Sequence, residues 1–380
     1  MRPTTDSAIV FNAERAAPAK LRLPHALAFH RALPAYRVTP LAELPDVARD
    51  LGVASVVVKD EELRLGLPSF KLLGSSWAVH ERIRRRVGRP DGAVLSLDDL
   101  REHARAWDLT LCAASDGNYG RSIAALAELL GCRAVVLLPA DTAAQRIEDV
   151  RAHGARVELV DGSYEETVAR ARRSALAGGH WYCPDTALAD ADPSELEFVR
   201  DVVAGYTTLF VELVDQLGRA PDVLFVQAGV GGLAAGAVLA FDELAQLARV
   251  VTVEPAGSDC VRASIAAGAP RTVPDRPTIM AGLRCQSVSA VAWPMLHARV
   301  DAALAISDAD AAAAMRLLAA HGIVAGESGA AGLAGARVAL RREDVRTRLG
   351  IGAGSIVAVV NTEGATDRAS YERITEAGSG

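Results

Sequence analysis

The sequence predicts an α/β protein of two three-layer α/β/α domains with mainly parallel, twisted sheets. Three observations lead there. Nine short strand-like runs, most of them β-branched and free of proline, recur along 380 residues. Alanine-rich segments of helical length separate them. One run passes directly into a glycine-rich turn and a further alanine-rich segment. Such alternation argues for parallel strands joined by crossover helices and covered on both faces.

In chain order the strand-like runs are 53–58, 109–113, 133–138, 156–160, 180–183, 222–227, 250–254, 302–306 and 355–361. The four between 109 and 183 suit one small sheet. Those from 222 onward suit a second, larger one. Residues 122–130, 142–153 and 309–320 read as helices between them. Pro90-Asp91-Gly92 is turn chemistry, and residues 219–222 lead into a strand. The length exceeds what one ordinary core fills. The expected division is a large domain from 1–75 and 191–380, which would bind a cofactor, and a smaller domain from 76–190 that closes over the substrate.

Half the residues are apolar, 23% are charged and the net charge is −6. No basic field of the kind nucleic-acid binders carry is present. The local run Glu81-Arg82-Ile83-Arg84-Arg85-Arg86 reads as the solvated face of a helix. Five cysteines, odd in number and without a C-x-x-C pair, argue against a disulfide framework or a zinc site and for reduced thiols. Residues 1–11 lack the apolar stretch of a signal peptide. The most apolar long run, 228–241, holds four glycines and is too short for a bilayer. The expectation is a cytoplasmic protein whose partners are small molecules and copies of itself, with no metal, nucleic acid or membrane.

In such sheets ligands gather beyond the carboxyl ends of strands, and four loops there carry chemistry. Pro68-Ser69-Phe70-Lys71-Leu72-Leu73-Gly74 places one lysine in an apolar neighbourhood at a helix start. Burial disfavours a charged amine, and a neutral lysine amine forms a Schiff base with an aldehyde. Ala114-Ser115-Asp116-Gly117-Asn118-Tyr119-Gly120 offers a carboxylate and an amide between strand and helix, although Ser, Asp and Asn are also ordinary helix caps. Gln227-Ala228-Gly229-Val230-Gly231-Gly232 can wrap an anion with backbone N–H groups at a helix N-terminus. It lacks the lysine of a nucleotide P-loop and only approximates the dinucleotide fingerprint. Asn361-Thr362-Glu363-Gly364 follows the last strand and offers a hydroxyl, or a plain cap and turn.

In this order the four loops resemble the fold-type II, tryptophan synthase β-like family of pyridoxal-phosphate enzymes. The resemblance is nearest to its diaminopropionate ammonia-lyase branch. Residues 29–41, Val58-Lys59-Asp60-Glu61, Asp116-Gly117-Asn118, residues 278–283, Gly326-Glu327-Ser328-Gly329-Ala330 and Thr362-Glu363-Gly364 are all similar to that branch. Tyr119 departs from it, standing where the branch usually has histidine, and residues 186–192 depart as well.

The resemblance implies a homodimeric lyase with pyridoxal 5'-phosphate as cofactor and a small amino acid as substrate. Lys71 would carry the cofactor. Gly229, Val230, Gly231 and Gly232 would hold its phosphate, Asn118 its ring hydroxyl, and Thr362 would face its pyridine nitrogen. Asp116 and Asp185 would be acids or bases near Cα and Cβ. A serine/threonine dehydratase or β-replacement synthase on the same scaffold is the nearest rival. A non-catalytic metabolite-binding relative is a rival of another class.

Overall fold

A computed structural model describes residues 9–15, 26–115 and 117–376. Its strands are β1 Ile9–Phe11, β2 Leu41–Glu43, β3 Ser55–Asp60, β4 Thr110–Ala114, β5 Arg133–Pro139, β6 Arg156–Val160, β7 Trp181–Tyr182, β8 Val223–Gln227, β9 Arg249–Pro255, β10 Ala302–Ile306 and β11 Ile356–Asn361. All nine expected strands are present. The two additional ones, β1 and β2, are three residues each and pair antiparallel at sheet edges. Three residues are too few to show an alternation in sequence.

The chain forms two compact units. One takes in the described residues of Met1–Arg22, with Val38–Leu63 and Leu209–Gly380. It holds a seven-stranded sheet in the order β1-β10-β9-β8-β11-β3-β2, parallel at every inner junction. Every residue of β8 and β10 is buried. Alternate side chains point to opposite faces, so both faces of the sheet are covered. Val223 and Phe225 of β8 belong to a core with Val251, Val253, Leu304, Ile306, Met315 and Leu333. From β8 the order runs through β9 to β10 on one side and through β11 to β3 on the other. The junction of β8 and β11 is therefore the switch point at which open α/β sheets leave a crevice.

The other unit, Leu23–Arg37 and Arg64–Thr208, holds the four-stranded parallel sheet β6-β5-β4-β7. Helix Tyr164–Gly178 packs Val168, Ala171 and Ala175 against Cys112, Ala114, Val135 and Leu137.

The compact units divide at 63/64 and 208/209, with the described residues of Leu23–Arg37 also in the smaller one, where the sequence suggests 75/76 and 190/191, and packing accounts for the difference. Helix Lys71–Arg86 lies on helix Asn118–Leu130 and so joins the smaller unit. Helix Pro193–Leu217 meets it at Gly205. A Cβ there would fall on the Leu73 carbonyl oxygen and lie 2.8 Å from Gly74 Cα. His30 ties the crossing, with Nε2 2.9 Å from Leu73 O and Nδ1 2.7 Å from Thr208 Oγ1. Phe70 and Tyr206 pack edge to face, centroids 4.8 Å apart.

Most of the basic run at 81–86 is not a solvated face, Arg86 alone being exposed. Arg84 is buried and bonds Glu81 and Asp91. Arg82 lies over Trp181 at 4.5 Å and Arg86 over Trp107 at 4.3 Å. Carboxylates and indole faces supply what water would have supplied.

In the larger unit a fully buried pair joins Lys59 of β3 to Glu212 at 2.8 Å. Gln216 Oε1 at 2.8 Å and Thr39 O at 3.0 Å complete the bonding of the ammonium. Such a pair tolerates loss of one partner poorly, since the other charge stays buried.

Gly205→Ala tests the crossing. Alanine favours an exposed helix position over glycine, but here the methyl group must displace backbone. The expected outcome in denaturant titration is a loss of about 1–3 kcal/mol, with no loss at a solvent-facing control on the same helix.

Candidate active site

In the smaller unit the chemistry gathers where strands end. β4 runs through residues 115–117 into helix Asn118–Leu130, and β7 runs through 183–192 into helix Pro193–Leu217. Ser115 is fully buried, and its Oγ accepts the N–H groups of Gly117 at 2.8 Å and Gly120 at 2.7 Å. These bonds shape the turn that presents Asn118 as the first, half-buried residue of its helix. Asp116 lies outside the described residues. Tyr119 is buried behind the turn, and its Oη donates to Pro184 O at 3.3 Å. Burial holds its phenol protonated far above the usual tyrosine range, so it acts here as a donor and not as a base.

The sequence contains three lysines, at 20, 59 and 71. Lys20 lies outside the described residues, and Lys59 is locked in its buried pair. Lys71 opens helix Lys71–Arg86. Its Nζ lies 3.2 Å from Asp185 Oδ2, with 21% and 10% of the two side chains exposed. It also lies over the Phe70 and Tyr119 rings, 5.5 and 5.7 Å from their centroids. The amine is therefore reachable, faced by a carboxylate and walled by aromatic rings. On the far side of that carboxylate, Tyr164 Oη donates to Asp185 Oδ1 at 2.8 Å. The structure thus brings together Lys71 and Asp185, two expected site residues more than a hundred positions apart. Sequence reading missed Tyr164 and Ser115 as supporting groups. Burial pushes the thiols of Cys112 and Cys183 up to about 12, which rules them out as nucleophiles near neutral pH.

In the larger unit β8 leads into the glycine turn. Gly231 has φ +93°, and a Cβ there would lie 2.5 Å from Leu296 Cδ1, so only glycine suits the position. The first helical bond runs from Ala235 N–H to Gly231 O at 2.9 Å. The amides at the start of helix Gly232–Glu243 therefore lie ahead of the ladder, as an anion site needs. Gly229, Val230 and Gly232 are all partly exposed.

Gln227, the last residue of β8, is the residue sequence reading used least. Its Nε2 lies 2.9 Å from Ser328 O, 3.0 Å from Gly329 O, 3.0 Å from Val360 O and 3.2 Å from Thr362 Oγ1. One amide group thereby joins the ends of β8 and β11 to the turn at 326–330. A buried polar residue closing an otherwise apolar strand was the available signal.

Among the described residues, no cluster of histidine, cysteine, aspartate or glutamate could hold a metal ion. No helix of them is long and apolar enough to cross a membrane. Each unit by itself offers groups that suit pyridoxal phosphate: the smaller one a half-buried amine at Lys71, the larger one helix-start amides at the glycine turn and a neutral hydroxyl at Thr362. Ser328 Oγ is buried without a protein partner, and a hydroxyl so placed can donate to a ring nitrogen or a phosphate oxygen.

Residues 32–362 match the family described as pyridoxal-phosphate dependent enzyme. The chain is 34% identical over 370 residues to a diaminopropionate ammonia-lyase of Salmonella typhimurium, covering 92% of this chain and 90% of that protein. Its structure is similar to holo diaminopropionate ammonia lyase from Escherichia coli, with TM-score 0.88 and 30% identity, covering 97% of this chain and 96% of that one. It is likewise similar to the Escherichia coli enzyme in complex with D-serine, with TM-score 0.87 and 30% identity over 97% of both chains.

Ser115→Ala leaves two buried N–H groups without their acceptor. The expected cost is about 1–3 kcal/mol for each group left unsatisfied. Amide hydrogen exchange should be faster at residues 117 and 120 than in wild type, with β5 unaffected.

Proposed function

The chain belongs to the pyridoxal-phosphate dependent enzymes, on their diaminopropionate ammonia-lyase branch, and from that premise we propose that it converts 2,3-diaminopropionate and water to pyruvate and two molecules of ammonia. The observation that carries this reading is Lys71 Nζ at 3.2 Å from Asp185 Oδ2. It puts an accessible amine and a carboxylate side by side, in a chain whose other described lysine is locked away.

When bound, pyridoxal phosphate supplies the electron sink that lets the Cα–H bond break. Lys71 would hold it. Gly229, Val230, Gly231 and Gly232 take the phosphate through backbone N–H groups and the helix dipole. Asn118 would bond the ring hydroxyl. Thr362 would offer the pyridine nitrogen a neutral oxygen, which would not hold that nitrogen protonated as a carboxylate would. Asp185 attracts the substrate's cationic β-ammonium by charge. Asp116, read from the sequence alone, is its counterpart near Cα.

Asp185 and Asp116 would take or give protons at Cβ and Cα, so that 2,3-diaminopropionate and one water would leave as pyruvate and two molecules of ammonia. We also take the chain to be a cytoplasmic homodimer. Unbridged thiols at all five cysteines suit a reducing compartment, and the family resemblance supports the dimer.

Borohydride reduction of the cofactor-loaded protein should fix the cofactor on Lys71 and leave Lys59 unmodified, as read by peptide mass spectrometry. Label on any other residue refutes the assignment. Pyruvate should form from 2,3-diaminopropionate at least tenfold faster than from serine. Equal rates would favour a dehydratase.

A further inference from the structure

We propose that Tyr164 is a positioning residue for Asp185. Its phenol holds the carboxylate turned so that one oxygen takes the Tyr164 proton and the other faces Lys71. The inference deepens the ammonia-lyase reading and rests on it for its link to the reaction.

The geometry is a chain of two contacts. Tyr164 Oη lies 2.8 Å from Asp185 Oδ1, and Asp185 Oδ2 lies 3.2 Å from Lys71 Nζ. The two oxygens are divided between two partners, so the contacts together define the rotation of the carboxylate. A lone aspartate at a loop position has no such restriction. A phenol also donates to a carboxylate more strongly than to a neutral acceptor.

The origin of the phenol is rigid. Tyr164 is the first residue of helix Tyr164–Gly178, and Ser163 caps that helix in a reciprocal bond with Glu166. Positions 164, 168, 171 and 175 share one helix face. The last three lie in the core of the small sheet, and Tyr164 packs against that core. The ring thus belongs to the hydrophobic stripe, and only its hydroxyl extends beyond it. From sequence the ordinary reading is a core tyrosine, and the core does hold the ring. The bond to Asp185 is what gives the oxygen a use.

The Asp185 loop is held at a second point, since Tyr119 Oη donates to Pro184 O. The titratable neighbours acting on or beside Asp185 in this unit include Lys71, Tyr164, Tyr119 and Tyr182. Burial keeps the phenols of Tyr119 and Tyr182 protonated well above the neutral range.

Tyr164→Phe removes one oxygen and keeps the ring. Its fold is checked by circular dichroism and by the denaturation midpoint. In the holoenzyme, kcat on 2,3-diaminopropionate should fall about 10- to 100-fold, the scale of one hydrogen bond to a charged group, with KM changing much less. In an Asp185→Asn background the same change should cost less than about twofold, because a residue acting through another has no effect once that partner is neutralised.

A second readout needs no turnover. In the cofactor-free full chain at fixed mildly alkaline pH, Lys71 should be acylated by acetic anhydride several-fold faster in Tyr164→Phe than in wild type, since a loosened carboxylate holds the ammonium less. Asp185→Asn should do the same, and Lys59 should stay protected in every variant. An unchanged Lys71 rate in Tyr164→Phe, or an undiminished kcat loss in the Asp185→Asn background, overturns the proposal. Faster acylation in a protein that never turns over diaminopropionate would sustain the positioning role and remove the ammonia-lyase reading.

Discussion

Lys71 stands where it does because two helices approach with almost no side chain between them. At Gly205 the backbone of helix Pro193–Leu217 comes against Leu73 and Gly74 of helix Lys71–Arg86, and His30 bonds the Leu73 carbonyl and Thr208 together. Lys71 is less than one turn from that contact. Protein interiors are close-packed and shift little under load, so the amine inherits the rigidity of the crossing. Phe70, edge-on to Tyr206, extends the same packing to the residue beside the lysine.

The two units solve a common problem in different ways. In each, strands end at a shared edge and their loops must carry polar groups without leaving them orphaned. Around β4 a single hydroxyl, Ser115, serves two amides. At the switch point a single side-chain amide, Gln227, serves four acceptors on two segments. Ser328 Oγ is left there without a protein partner, a buried hydroxyl able to donate to a ligand's oxygen or nitrogen.

The two described lysines show how context decides chemistry. Lys59 and Lys71 both stand beside carboxylates. Lys59 is sealed from solvent and saturated by Glu212, Gln216 and Thr39, which makes it a structural cation. Lys71 is partly exposed, has its carboxylate at a longer distance and sits at a helix start among aromatic faces. In a chain otherwise supplied with arginine for its cations, an accessible primary amine marks chemistry that a guanidinium does not do.

The sequence by itself determined the parallel α/β architecture, nine of the eleven strands among the described residues, and four loops whose order resembles one family of pyridoxal-phosphate enzymes. These are local properties: alternation of short apolar runs with alanine-rich segments, and backbone freedom at a few glycines, are written in neighbouring residues. Tertiary structure alone decided the rest. The unit to which Lys71 belongs, the burial of Arg84 among carboxylates, the four acceptors of Gln227 and the placing of Tyr164 on Asp185 all join residues distant in sequence. No period or spacing encodes them, because each depends on which helix crosses which strand. Asp185 lies 21 positions beyond Tyr164 and 114 beyond Lys71, and only packing around the small sheet makes the three neighbours.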